Sequence, residues 1–128
     1  MTQAHATLSW VAMVGALVVG LLAFLTWLIG TRPAGRSLAR VVDLLVRVVV
    51  ALLVVQIIVG LVVFVSGPPP AEGLHLGYAL GMLAAIPVGA VLGVRAEHGR
   101  GRSPTRYAWI AGAALVAAVL ALRLAATG

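Results

Sequence analysis

His5, His75 and His98 are the residues of this chain that can hold a metal ion or pass a proton near neutral pH, because imidazole titrates there and offers a lone pair. The carboxylates number three, Asp43, Glu72 and Glu97, and there is no cysteine. Without cysteine, the chain forms no disulfide, thiolate metal site, iron–sulfur site or covalent c-type haem link, and thiol catalysis is excluded. The carboxylates do not pair along the sequence. Asp43 falls at the boundary of an apolar segment, and Glu72 and Glu97 lie in connections on opposite sides, which disfavours paired-carboxylate acid–base work and proton pumping. Ser9, Thr26 and Ser66 supply hydroxyls, yet none neighbours a histidine and a carboxylate, and neither a glycine-serine elbow nor a histidine-glutamate zinc motif occurs. The glycines form no phosphate loop, since no strand precedes them and no lysine follows. Two polar groups then matter most. His75 is either an interfacial histidine bonded to the neighbouring loop or headgroups, or an axial ligand to haem iron or a donor to a quinone. Gln56 either bonds across to a neighbouring helix or meets a ligand, with packing the preferred role.

The elements that position these residues follow from composition. Hydrophobic residues make up 62% of the chain and charged residues only 9%, with a mean hydropathy of +1.15. Soluble domains carry roughly 25% charged residues, so this chain lacks the polar cover to dissolve as a small globule. Its net charge of +6 comes from nine arginines against the three acids. In so apolar a chain that balance serves orientation in a membrane rather than nucleic-acid binding. The expected fold is all-α, an integral membrane four-helix bundle forming one domain, with up-down-up-down order and spans at about 8–29, 41–65, 74–94 and 107–126.

The first run has 22 residues without charge, about 33 Å at about 1.5 Å per residue, enough for a hydrocarbon core of about 30 Å. No positive charge precedes it and Arg32 and Arg36 follow it, so it reads as a retained helix rather than a signal peptide. The second helix is expected to begin near Ser37 and to stop at Ser66-Gly67-Pro68-Pro69-Pro70, because proline removes donors and fixes φ. Its first turns carry Arg36, Arg40, Asp43 and Arg47, and the spacing of four between Asp43 and Arg47 suggests an ion pair along one helix face. Lipid-phosphate contacts from the surrounding arginines are the alternative. Pro87 should bend the third helix, and Arg123 lies near enough the end of the fourth to snorkel. The stretch 95–106, with four arginines, two glycines and Pro104, reads as a polar loop.

Arginines cluster in the stretches 30–40 and 95–106 and are absent from the amino-terminal tail and from 68–73. Positive loops stay cytoplasmic, so both termini are expected outside a bacterial-type cytoplasmic membrane.

Gly73, Gly77, Gly81, Ala85, Gly89 and Gly93 recur every four residues along the third helix, and Ala113, Ala117, Ala121 and Ala125 do so in the fourth. Small residues let helices approach closely in lipid, where little hydrophobic drive exists between them. The two rows are therefore expected to meet in a tight hairpin. Each step of four overshoots a full turn by about 40°, so the row winds around its helix and one straight partner cannot follow all of it. The remainder is left for another helix, a second copy or a flat ligand. His75 lies about 160–200° from the row and points away from it.

The stretch 56–67, with Gln56, Gly60 and Ser66-Gly67, followed by a proline-rich connection and Leu74-His75-Leu76-Gly77-Tyr78-Ala79, resembles one four-helix half of the haem A synthase family. The resemblance implies that a glutamine-glycine helix leads through the outer loop into a helix opened by a haem-ligating histidine, here His75, and that the cofactor would be haem b. The family's partner histidine would stand near the outer end of the fourth helix, where this chain has Arg123; His5 is the other histidine on that side. The family's hydroxylation glutamate has no counterpart here, so its enzyme activity is not implied. The sequence alone points first to a non-enzymatic accessory or assembly subunit of a larger membrane complex, a respiratory one in the specific case. The partners expected are the lipid bilayer with other membrane subunits or a second copy. The alternative is a half-size haem-binding protein.

Overall fold

A computed structural model describes residues 2–30, 32–67, 74–100 and 105–127, all but a few of them helical. The helices are α1 (Thr2–Ile29), α2 (Pro33–Ser66), α3 (His75–Arg100) and α4 (Thr105–Thr127). Each is long and apolar enough to cross a membrane. Helix is the structure such sequences require in lipid, because it satisfies every backbone group within its own segment.

Several helices extend beyond the expected spans. α1 begins at Thr2, six residues before the apolar run. α2 begins at Pro33 rather than near Ser37, with Arg32 as an extended N-cap and proline in the first turn, where its missing N–H is no loss. The stretch 95–100, expected to lie in a loop, continues α3. Alanine, glutamate and arginine are good helix formers, and a helix end that emerges from an apolar segment has no reason to unwind. Pro87 sits inside α3, which remains one helix throughout.

Close contacts define the arrangement. Ser9 meets Gln56 and Gly15 meets Val49, so α1 and α2 are antiparallel. Gly81 meets Leu120, Gly89 meets Ala113 and Gly93 meets Arg106, so α3 and α4 are antiparallel too. Asp43 reaches Arg106, placing the start of α4 beside the start of α2. The order around the bundle is α2, α1, α4, α3, with a smaller α2–α3 contact closing the ring. α1 and α4 form its centre.

That centre is a seam of small side chains. On α1, Ser9, Ala12, Ala16, Val19, Ala23 and Thr26 are buried, at steps of three and four. On α4, Ile110, Ala114, Ala117, Ala121 and Leu124 are buried at the same steps. This is the spacing that keeps one helix face turned toward a partner over its whole length. A Cβ on Gly20 would lie 3.3 Å from that of Ala114, which shows how close the backbones come. Of the alanine row expected to meet α3, Ala117 and Ala121 are buried with this central seam, while Ala113 faces Gly89.

The glycine row of α3 approaches the α4 backbone only along its inner half. A Cβ on Gly89 would collide with that of Ala113 and lie 2.9 Å from the Trp109 carbonyl oxygen. One on Gly93 would lie 2.8 Å from Arg106 Cα. At Gly81 the neighbour is the flexible end of Leu120, and at Gly77 nothing lies within 4 Å. Gly73 is outside the described residues. The contact is thus discontinuous, as the accumulated rotation of about 40° per step requires, and Gly77 stands off the interface.

The α1–α2 turn is closed by Arg32 N–H donating to the Ile29 carbonyl at 2.8 Å and Gly35 N–H donating to the Arg32 carbonyl at 3.0 Å. Gly35 must be glycine, since a Cβ there would lie 2.7 Å from Gly30 Cα.

Gly89→Leu should lower stability by about 3 kcal/mol, the upper range for overpacking a close contact, whereas Gly77→Leu should fall within about 0.5 kcal/mol. Thermal unfolding of the two variants in detergent, followed by circular dichroism, checks the contrast.

Candidate functional site

The polar side chains of the four helices gather at three levels. At the end bearing the α1–α2 and α3–α4 connections, four of them meet. Asp43 of α2 is paired with the Arg106 guanidinium of α4, both side chains about one-third exposed. The Tyr107 side chain is a further neighbour of the Asp43 carboxylate. Glu97 of α3 accepts from the Arg106 backbone N–H at 3.3 Å, satisfying one of the donors that the start of α4 leaves open. The Arg106 guanidinium carbon also stands 5.3 Å from the centre of the Tyr107 ring, within cation–π range. Three helices are thereby tied together at one end.

This corrects the expected Asp43–Arg47 pair. Asp43 is turned toward α4, and Arg47, four residues on, is exposed. A bond across the bundle also fixes the rotation of α2, which a pair along its own surface would not do. Tyr107 and Arg106 were not singled out in sequence, because Arg106 there ends an arginine-rich stretch and has nothing to distinguish it from its neighbours.

Between the two ends, nearer the start of α1 and the end of α2, the Gln56 amide nitrogen donates to Ser9 Oγ at 2.5 Å, and both residues are buried. Gln56 takes the packing role preferred for it, bridging α2 to α1. Thr26, the other buried hydroxyl of α1, donates to the Leu22 carbonyl of its own helix at 2.7 Å.

At the opposite end His75 opens α3 and is half-buried. Tyr78, Met82 and Ile86 follow on its face, with Met82 and Ile86 fully buried in the core. The row of His75 faces inward at this end, while Gly77 on the far side of the helix faces out. The side chain of His5 is outside the described residues, although its backbone belongs to α1. His98 lies at the other end, with Nδ1 2.8 Å from the Val94 carbonyl.

One concavity opens on the bundle surface. Its volume is about 490 Å³, and it lies between Ala85, Val88, Gly89 and Leu92 of α3 and Ala108, Trp109, Gly112, Ala113 and Val116 of α4. Ala85, expected in helix packing, thus lines a groove beside the packed contact, and Gly112 has nothing within 4 Å of its Cβ position.

A double-mutant cycle tests the ion pair. Asp43→Asn and Arg106→Gln should show a coupling of about 0.5–1 kcal/mol, and Asp43→Asn with Arg47→Gln should be additive within about 0.3 kcal/mol, read from thermal unfolding in detergent. Neither known protein families, nor curated proteins, nor solved structures match this chain.

Proposed function

We propose that the chain is a four-span protein of a bacterial-type cytoplasmic membrane, with its arginine-bearing connections in the cytoplasm, and that it works as an accessory or assembly subunit of a larger membrane complex. The reading rests on how the structure spends its side chains. Its polar groups between the ends and at the arginine end, Ser9 with Gln56 and Asp43 with Arg106, bond across helices of the same chain. What remains on the outside is a surface for other helices.

The observation that carries the proposal is the far face of α2. Val42, Val49, Leu53 and Gln56 of this helix face the bundle, and opposite them positions 44, 48, 51, 55, 58, 62 and 65 are all exposed, at unbroken steps of four and three. Leu44, Ala51, Ile58 and Val65 alternate along this row with valine at 48, 55 and 62. A repeat of 3.5 residues keeps one stripe turned to a partner helix, and β-branched residues at alternate positions suit its interlocking packing. Among the described residues nothing covers the stripe.

A second reading, haem binding, is favoured by the inward-facing row of His75, Tyr78 and Met82. The described residues at that end provide one histidine, so a second axial ligand would come from His5, from Met82 or from the His75 of a second copy. Haem bound there would supply one-electron chemistry.

Three measurements separate these readings. A photo-reactive residue at Val55 or Ile58 should give one discrete protein adduct in native membranes, whereas the same probe at Leu115 or Val119 of α4 should not; lipid adducts alone at every position would overturn the subunit reading. Purified protein should lack a Soret band before and after dithionite, and a stoichiometric haem spectrum lost in His75→Ala would establish the second reading instead. Because the chain has no cysteine, Ala71→Cys should react with an impermeant maleimide in intact cells and Ser103→Cys should not; the reverse pattern would invert the orientation.

A further inference from the structure

The groove between α3 and α4 has a floor of glycine and alanine, walls of Val88, Leu92 and Val116, and Trp109 at its side. Its position along the helices is the half nearer the arginine-bearing end. The groove row of α3, 85, 88 and 92, continues by one more step of three to Arg95, which is exposed. By helical angle Arg95 lies within about 20° of Val88, so it stands on the groove's row of α3, one turn beyond Leu92 at the arginine-bearing end. No carboxylate among the described residues pairs with it: Asp43 is held by Arg106, and Glu97 accepts from the Arg106 N–H.

We propose that this groove binds one anionic glycerophospholipid of the arginine-side leaflet, with an acyl chain along Gly89 and Gly112 and the headgroup phosphate at Arg95. The inference rests on the membrane reading above but not on the subunit role. Charge complementarity selects the occupant. An apolar trough that ends in a cation without a counter-ion matches a molecule with an apolar tail and an anionic head, and an apolar partner helix would leave that cation unanswered. Trp109 belongs at the same depth, since indole favours the boundary between hydrocarbon and headgroups. The width of the trough has a cause in the sequence: Gly112 carries no side chain to fill it, although Gly89 and Ala113 beneath are in tight contact.

The test uses Trp109 as its own reporter. Trp10 and Trp27 are exposed, so Trp10→Phe with Trp27→Phe leaves a single tryptophan in the full chain. This protein is reconstituted into vesicles of phosphatidylcholine and phosphatidylglycerol in which one or the other carries brominated acyl chains. Trp109 should associate with brominated phosphatidylglycerol about fivefold more strongly than with brominated phosphatidylcholine, the factor expected for one arginine near an anionic headgroup. Arg95→Gln, a change at an exposed site, should remove the preference while leaving quenching by both lipids. Gly112→Leu should reduce quenching by both, because the leucine occupies the trough, and helix content by circular dichroism should be unchanged. Equal association with the two lipids in the parent protein, or a preference that survives Arg95→Gln, would overturn the proposal. So would weak quenching by both lipids in the parent, the result expected if a helix of a second copy filled the groove.

Discussion

The close approach of α4 to two helices at once is the contact from which the rest of the bundle follows. In lipid the gain from bringing apolar surfaces together is small, and attraction depends on how near two backbones can come. Alanine on α4 meets alanine and valine on α1, and a second face of the same helix, Trp109 and Ala113, lies against Gly89. α1 and α3 are thereby held on either side of α4, and α2 is attached through its hairpin with α1. A bulky residue anywhere on these two faces would push apart not one pair of helices but the whole row.

Small residues alone do not specify a register, since a smooth surface slides. Two polar contacts set it. Ser9 with Gln56 fixes the height of α2 on α1, and Asp43 with Arg106 fixes the rotation of α2 toward α4. The first is buried and costly to leave unmade in an apolar setting, and the second lies at an end where partial exposure softens the cost of holding charge. Each residue belongs to a different helix from its partner, so these contacts select one assembly among several that the apolar surfaces would tolerate.

Once these groups are committed inward, the outside is differentiated by what is missing from it. The far face of α2 keeps a regular ridge of valine, leucine and isoleucine, suited to interlocking with another helix. The side of the α3–α4 hairpin has a trough, because glycine at position 112 leaves space above a contact that is itself tight. The two surfaces differ in the partner they suit, one a rigid ridge and the other a flexible chain with a charged head. The ridge lies on α2 and the trough between α3 and α4, so both can be used together.

The number of helices, their α character and their approximate centres were determined by composition and by apolar runs of sufficient length, because runs of about 20 residues suit a helix that satisfies its own backbone and are too long for a barrel strand. The drift of the glycine row was also legible, being a consequence of 3.6 residues per turn, and it accounts for the departure of Gly77 from the interface. Even the Ser9–Gln56 bond left a trace: counted from Arg32, one lies 23 residues back and the other 24 residues on, as a tight hairpin requires. Which helices would be neighbours was decided only in three dimensions. The α1–α4 seam joins the two ends of the chain, and a repeat of alanine, valine and serine carries no mark of its partner until the partner is packed against it. The choice of Arg106 over Arg47 for Asp43 has the same origin. Spacing of four places two charges on one helix face, but the direction that face takes depends on how α2 is rotated, and that is decided by its packing against α1 together with the pairing of Asp43 across the bundle. The groove, finally, belongs to neither helix alone, since its floor and walls come from residues whose separation in sequence says nothing of the gap between them.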